Sequence, residues 1–150
     1  MTVFLDTNII IDLYSQREDY YTAASQIFDL AVRREIELVV SSTTFVNAFF
    51  LLKDYYTAEE LYETMEGLAS ICIISPVNES IVKEALRMRA KDFEDSVQLL
   101  SSAEIPADII VTRDKHFKHY DANIMKPEAF LDYFSRQTNN FNLLTKTLQK

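Results

Sequence analysis

Glycine is almost missing from this chain, since Gly67 is the only one among 150 residues. Walker-type phosphate loops, dinucleotide-binding fingerprints and the G-x-S-x-G nucleophile elbow all need glycines at fixed positions. None of these motifs can be built here. The sequence therefore excludes binding of a nucleotide cofactor by those routes.

Cysteine and histidine are also scarce. Cys72 is the single cysteine, so no intramolecular disulfide can form, and it lies in the apolar stretch SICIIS, where we expect a buried strand. The two histidines, His116 and His119, leave little material for a zinc site or a Ser-His-Asp triad. Carboxylates are abundant instead, with 23 Asp and Glu against 15 Lys and Arg.

Long hydrophobic runs are missing as well. The longest candidate, FVNAFFLL, falls short of the roughly 18 residues of a membrane span and is interrupted by Asn47. The N-terminus lacks the basic and apolar regions of a secretory signal, so we expect a cytoplasmic protein without a membrane partner. A net charge of −8 argues against coating nucleic acid through bulk charge. It leaves room for a protein that meets phosphate through a bound cation and a local basic patch.

Short apolar segments alternate with segments of helical spacing along the chain. The predicted strands are TVFL, IELVVS, the stretch 71–74, ADIIVT and a short ANIMKP. Wholly apolar strands separated by helices indicate a parallel sheet covered on both faces. We therefore predict an α/β fold, a three-layer α/β/α sandwich with about four to five parallel strands. We expect one domain over 1–135 and a polar tail over 136–150 that can form a helix.

Three acids occupy strand ends or an adjoining helix start. Asp6 follows VFL, Asp114 follows IIVTR, and Asp95 lies in the first turn of the helix before ADIIVT. Each of the three also has a local explanation. Asp6 can cap a helix, Asp95 can stabilise the start of a helix that Asp92 caps, and Asp114 can lie in a turn.

Together the three acids indicate more than helix capping. Sites in open α/β sheets form at the carboxyl ends of the strands, so these acids should share one edge. Several carboxylates cannot share a site without repulsion unless a cation neutralises them, and oxygen ligands favour Mg²⁺ or Mn²⁺. Such an ion activates water and polarises a phosphoryl oxygen. The chemistry implied is hydrolysis of a phosphodiester.

Three stretches of the sequence resemble the PIN-domain family: LDTNIIIDLY, DFEDSVQLLSSAEIPADIIVTRDKHF and IMKPEAFLDYF. The resemblance spans residues 2–134, and the ordered set of motifs is more specific than any one of them. It implies a Rossmann-like α/β/α sandwich and a metal-dependent ribonuclease, and many members of the family are toxins of bacterial toxin–antitoxin pairs. It further implies RNA as the substrate, an antitoxin protein as a partner and a homodimer as an option.

The resemblance also assigns roles to residues. Asp6, Asp95 and Asp114 would be the catalytic and metal-binding acids, and Asn8 and Thr112 would support them through hydrogen bonds. One departure stands out, because Asn47 occupies the place of a Glu in the family pattern S-x-x-T-x-x-E. An amide can still offer a carbonyl oxygen, but one negative charge is lost.

Two acids near Asp95 could compensate for that loss. We expect instead that Asp92 caps its helix and that Glu94 is solvated. Asp12 is expected to face solvent.

The densest basic stretch of the sequence surrounds Asp114. Arg113, Lys115 and Lys118 are interleaved with aromatic residues there, and such side chains can meet phosphates and stack on unpaired bases. We expect these three residues to bind RNA, with the segment 87–91 as a second basic group. Phe117, in the same stretch, is expected to anchor the core.

Three functions remain open from the sequence. The first is a Mg²⁺- or Mn²⁺-dependent endoribonuclease. The second is a binding module of the same fold that has lost catalysis through Asn47 and binds RNA or a protein. The third is a phosphohydrolase that uses Asp6 as a nucleophile in the haloacid dehalogenase manner, but Asn8 stands where that chemistry wants a second Asp.

Overall fold

The strands of the chain form one parallel sheet. A computed structural model describes residues 1–115, 117 and 122–148, with the backbone alone for 140–148. The strands in the described residues are β1 (Thr2–Leu5), β2 (Glu37–Ser41), β3 (Cys72–Ser75), β4 (Ile109–Val111) and β5 (Ile124–Met125). The helices in the same residues are α1 (Thr7–Tyr14), α2 (Tyr21–Val32), α3 (Ser42–Leu52), α4 (Ala58–Ile71), α5 (Glu79–Met88), α6 (Phe93–Glu104) and α7 (Pro127–Leu148).

The strand order places a topological switch beside β1. The order is β3-β2-β1-β4-β5, and every pairing is parallel. The chain moves outward from β1 through β2 to β3, and then returns to β4 on the other side of β1. Leu5 pairs with Val111 in that central register. The crevice outside such a switch point is where open α/β sheets bind their ligands, and the predicted fold class is confirmed.

Both faces of the sheet are covered. On β1, Val3 and Leu5 belong to the larger core cluster, while Phe4 belongs to a second cluster with Ile110 and Phe117. Alternate residues of a strand point to opposite faces, so the two clusters lie on the two sides of the sheet. The expectation that Phe117 anchors the core is confirmed, because its side chain is fully buried.

Helix caps explain where several helices begin. The Thr57–Glu60 capping box starts α4 as predicted. Asp92 caps α6, accepting hydrogen bonds from the backbone N–H groups of Glu94 and Asp95. Asp6 occupies the N-cap position of α1, yet its side chain makes no capping hydrogen bond in the described structure. Its carboxylate is therefore used elsewhere.

One feature differs from the sequence predictions. Ile73 and Ile74 are more than two-fifths exposed, because β3 forms the edge of the sheet, whereas Cys72 in the same strand is buried as expected. The helix α7 continues from Pro127 to Leu148. The division into a domain over 1–135 and a tail over 136–150 stays a prediction.

None of the described helices combines the length and apolar character needed to cross a membrane.

Candidate functional site

An acidic cleft opens at the carboxyl edge of β1 and β4. Its volume is about 210 Å³. The residues that line it are Asp6, Thr7, Asn8, Ile11, Arg17, Leu51, Asp92, Glu94, Asp95 and Asp114. The structure thus brings Asp6, Asp95 and Asp114 to one cleft, although they are distant in the sequence.

Asp6 lies at the bottom of this cleft, directly after β1, and only 5% of it is exposed. Its Oδ2 accepts hydrogen bonds from the Thr112 hydroxyl and from Asn8 Nδ2, both at 2.5 Å. The Thr112 Oγ1 in turn accepts from the backbone N–H of Asp114 at 2.9 Å. Both residues that the resemblance assigns as supports therefore contact Asp6, and one of them links it to Asp114.

The electrostatics of the cleft disfavour the ionised form of Asp6. Its pKa is raised from 3.8 to about 6, mainly by burial and to a smaller extent by the carboxylates of Glu94 and Asp114. The hydrogen bonds from Thr112 and from the Thr7 backbone offset only part of this effect. The ionised Asp6 carboxylate is therefore costly in this cleft, and a bound cation or a proton would lower that cost.

Hydrogen bonds from their own backbone N–H groups hold Asp95 and Asp114 in place. Asp95, at 8% exposure, lies in the first turn of α6, and its N–H is 3.3 Å from the Asp92 cap. Asp114 lies beyond the end of β4 and is held at its N–H by Thr112. Their positions therefore follow from the helix cap and from the end of the strand.

The donor set matches a hard divalent ion. Within the described part of the chain, no three His, Cys, Asp or Glu side chains form a group that could hold a metal ion as they stand. Mg²⁺ is commonly bound through one or two carboxylates and keeps several waters, so three tightly clustered ligands are not required. Asn8 Oδ1 adds a buried acceptor that has no hydrogen-bond partner among the described residues. Carboxylate and amide oxygens in this cleft fit such an ion.

A buried polar network joins the helices around the cleft, and the sequence analysis missed it. Gln98 Nε2 on α6 donates to Thr7 Oγ1 at 2.5 Å, and the hydroxyls of Thr7 and Thr44 share a hydrogen bond at 3.0 Å. All three side chains are buried. The network ties α6, which carries Asp95, to α1 and α3. Helical periodicity could not reveal it, because its members lie in three separate segments.

Asp12 is buried and forms an ion pair with Arg113. Asp12 is 1% exposed, so the prediction that it faces solvent is wrong. The Arg113 guanidinium donates to both of its oxygens, at 2.5 and 2.7 Å, and stacks 4.0 Å from the centre of the Tyr20 ring. This ion pair fixes the backbone between Thr112 and Asp114. The expected contact of Arg113 with RNA stays a prediction.

Two positive residues lie beside the acids. Arg17 lines the cleft, half-exposed, with its Nη1 3.6 Å from Asp12 Oδ1. Lys115 is exposed and lines a neighbouring cavity of about 370 Å³ together with Asp114 and Lys126. Lys118, the other predicted RNA contact, lies outside the described residues. Arg17 escaped the sequence analysis because it stands far from the dense basic stretch.

Asn47 contacts the rim of the cleft. It is half-buried on α3, and its Nδ2 donates to Glu94 Oε1 at 2.6 Å. Glu94 is exposed, as expected, but it also lines the cleft.

The raised pKa of Asp6 predicts that this residue weakens the fold in the absence of metal. The folded state binds the proton more tightly than the unfolded state, so the wild type should lose stability as pH rises from about 4 to about 6. Asp6→Asn keeps an acceptor oxygen without this cost. Above pH 6 it should raise the free energy of unfolding by up to about 3 kcal/mol, because one pKa unit is worth about 1.4 kcal/mol.

Urea unfolding in EDTA across pH 4 to 8 measures this difference. The advantage of Asp6→Asn should be small near pH 4 and should grow with pH. A difference that stays constant over this range would contradict the argument.

Comparison with known proteins agrees with the geometry. Residues 2–116 match the sequence profile of the family described as PIN domain. The chain is 23% identical over 135 residues to ribonuclease VapC1 of Aquifex aeolicus (strain VF5), covering 87% of this chain and 93% of that protein.

Solved structures show the same fold. The Mycobacterium tuberculosis toxin VapC20, described as cleaving the sarcin–ricin loop, superposes with a TM-score of 0.66 at 14% identity, over 83% of this chain and 99% of that one. A toxin–antitoxin complex from Klebsiella pneumoniae gives a TM-score of 0.62 at 21% identity, over 83% and 97%. VapBC2 of Rickettsia felis, bound to a promoter DNA fragment, gives 0.61 at 16% identity, over 84% and 98%. From the profile match over most of its length, this chain belongs to the PIN-domain family.

Proposed function

We propose that this chain is a divalent-metal-dependent endoribonuclease and that the acidic cleft is its active site. The observation that carries the proposal is the convergence of Asp6, Asp95 and Asp114 on one cleft at the switch point of the sheet. Membership of the PIN-domain family and the likeness to a protein named as a ribonuclease support it. The reaction is the hydrolysis of RNA phosphodiesters.

In this proposal the acids bind the metal ion, and the residues that contact them hold the acids in position. Asp6, Asp95 and Asp114 would hold Mg²⁺ or Mn²⁺, which lowers the pKa of a bound water and polarises a phosphoryl oxygen. Thr112 and Asn8 orient the Asp6 carboxylate by donating to its Oδ2. The buried network of Gln98, Thr7 and Thr44 keeps the elements that carry the acids in register.

Arg17 and Lys115 are the proposed contacts to the RNA backbone. Asp12 already forms a two-point contact with Arg113, so Arg17 at 3.6 Å is its looser partner and keeps half of its side chain exposed. Positive side chains beside a metal-binding cleft give a protein of net charge −8 a local surface for phosphate. Arg113 and Lys118 remain predicted contacts. Cellular RNA as the substrate makes a cytoplasmic location part of this proposal.

A metal-titrated cleavage assay tests the activity. The wild type should cut total RNA with Mn²⁺ or Mg²⁺ and lose the activity in EDTA, whereas Asp6→Asn should fall at least about 100-fold because the buried acid is lost. Asp132→Asn is a matched control, since this acid is exposed on α7 and does not line the cleft.

The same preparation separates catalysis from binding. Asp6→Asn should still bind RNA, while Arg17→Gln should bind more weakly with a shallower dependence on salt, because a phosphate contact is lost. RNA bound by the wild type without any metal-dependent cleavage would favour the binding-module alternative. Cleavage that survives in Asp6→Asn would contradict the proposed active site.

We further propose that the chain is the toxin of a toxin–antitoxin pair and that the antitoxin covers an apolar groove of about 650 Å³ on α3 and α4. Val46, Phe50 and Tyr62 line this groove and are each at least 60% exposed. Exposed apolar patches of this kind mark interaction sites. Several structural relatives are complexes of a toxin with an antitoxin, which favours an antitoxin segment over a second copy of this chain.

Light scattering with the product of a neighbouring small reading frame tests this partner. The two proteins should form a complex that Phe50→Glu disrupts and Val32→Glu does not, since Val32 is equally exposed, at 63%, but lies on α2 outside the groove. A complex unaffected by Phe50→Glu would place the antitoxin elsewhere. A Phe50-dependent dimer of the chain alone would assign the groove to a second copy.

A further inference from the structure

Asn47 and Glu94 meet at the rim of the acidic cleft, although they lie on different helices. Asn47 lies midway along α3, and Glu94 lies in the first turn of α6. The 2.6 Å hydrogen bond from Asn47 Nδ2 to Glu94 Oε1 joins them. Glu94 shares the lining of the cleft with Asp6, Asp95 and Asp114. Glu94 is therefore placed to act on the same ligand as these acids.

The negative charge of the Glu94 carboxylate acts on the Asp6 carboxyl group. Of the two carboxylates that raise the pKa of Asp6, Glu94 has the larger influence and Asp114 the smaller. An exposed glutamate that pointed away into water would be screened and would act weakly on a buried acid. The charge of Glu94 is thus felt inside the cleft.

Local contacts restrict the movement of Glu94. Its backbone N–H donates to the Asp92 cap at 2.9 Å, so it stands in the first turn of α6, where the helix dipole favours negative charge. The Asn47 amide donates a hydrogen bond to the Glu94 side chain. An exposed glutamate otherwise samples several rotamers. The hydrogen bond selects the one that lines the cleft.

We propose that Glu94 supplies a fourth carboxylate to the cation site and that Asn47 positions it. The carboxylate that the family pattern places on α3, where this chain has Asn47, is then supplied by Glu94 on α6. Asn47 is therefore a positioning residue, and its presence does not imply a weakened cation site. This inference rests on the proposed function, because it concerns the same cation.

Exchange of the two side chains tests the proposal. Glu94→Gln should weaken Mn²⁺ binding to the RNA-free protein roughly tenfold or more, the scale seen when groups around a metal are lost. The double variant Asn47→Glu with Glu94→Gln keeps one amide and one carboxylate in contact and returns the charge to α3. It should recover most of that affinity, giving a large coupling between the two positions. Asn47→Ala, which keeps the charge and removes the positioning contact, should lose less affinity than Glu94→Gln.

Isothermal titration with Mn²⁺ measures each affinity, and Glu104→Gln is the matched control, since it removes an exposed glutamate at the far end of the same helix. Circular dichroism confirms that each variant is folded. If Glu94→Gln binds Mn²⁺ as tightly as Glu104→Gln does, Glu94 is not part of the site. If the double variant binds Mn²⁺ as weakly as Glu94→Gln does, a carboxylate on α3 cannot replace the one on α6, and the proposed pairing of the two positions is wrong.

The native protein distinguishes a failure of this inference from a failure of the proposed function. Wild-type protein that binds Mn²⁺ and cleaves RNA, together with an unaffected Glu94→Gln variant, overturns only the role of Glu94. Wild-type protein that neither binds Mn²⁺ nor cleaves RNA overturns both.

Discussion

A buried carboxylate at the switch point of the sheet is the constraint on which the site depends. Asp6 directly follows β1, which has a neighbouring strand on each side, and more than nine-tenths of the residue is buried. Burying a charge is costly unless other groups compensate it. Thr112 and Asn8 supply two hydrogen bonds, but the charges of Glu94 and Asp114 act in the opposite direction. The fold therefore carries electrostatic strain that a bound cation would relieve, and this links stability to function.

The surrounding structure fixes the acids with polar contacts that are themselves buried. The Gln98 network ties α6 to α1 and α3, and the Asp12–Arg113 pair ties α1 to the segment after β4. Such largely buried contacts add little net stability compared with apolar packing, but removing one partner is costly. In this protein they set the spacing of the elements that carry Asp6, Asp95 and Asp114. Residues with no direct part in the chemistry thus control its geometry.

The sequence predicted features that depend on local pattern. The alternation of apolar strands and helices gave the parallel sandwich, and strand ends located Asp6 and Asp114. The Asp92 and Thr57 caps followed from residues only two or three positions away. Contacts between distant segments could not be predicted this way. Arg113 lies in a basic stretch, yet its partner Asp12 is 101 positions away, and the link between Asn47 and Glu94 depends on how α3 packs against α6. Local charge density indicated a surface arginine, whereas the tertiary fold buried its partner.

The central claim is that Asp6, Asp95 and Asp114 share one divalent cation, and anomalous diffraction tests it most directly. Crystals grown with Mn²⁺ and measured at the manganese edge locate the ion without reference to activity. The account predicts an anomalous peak in the acidic cleft, about 2 Å from a carboxylate oxygen of Asp6, Asp95 or Asp114, with the remaining acids in contact directly or through water. A cleft without a peak at saturating Mn²⁺, or a peak bound only by residues outside it, would contradict the account.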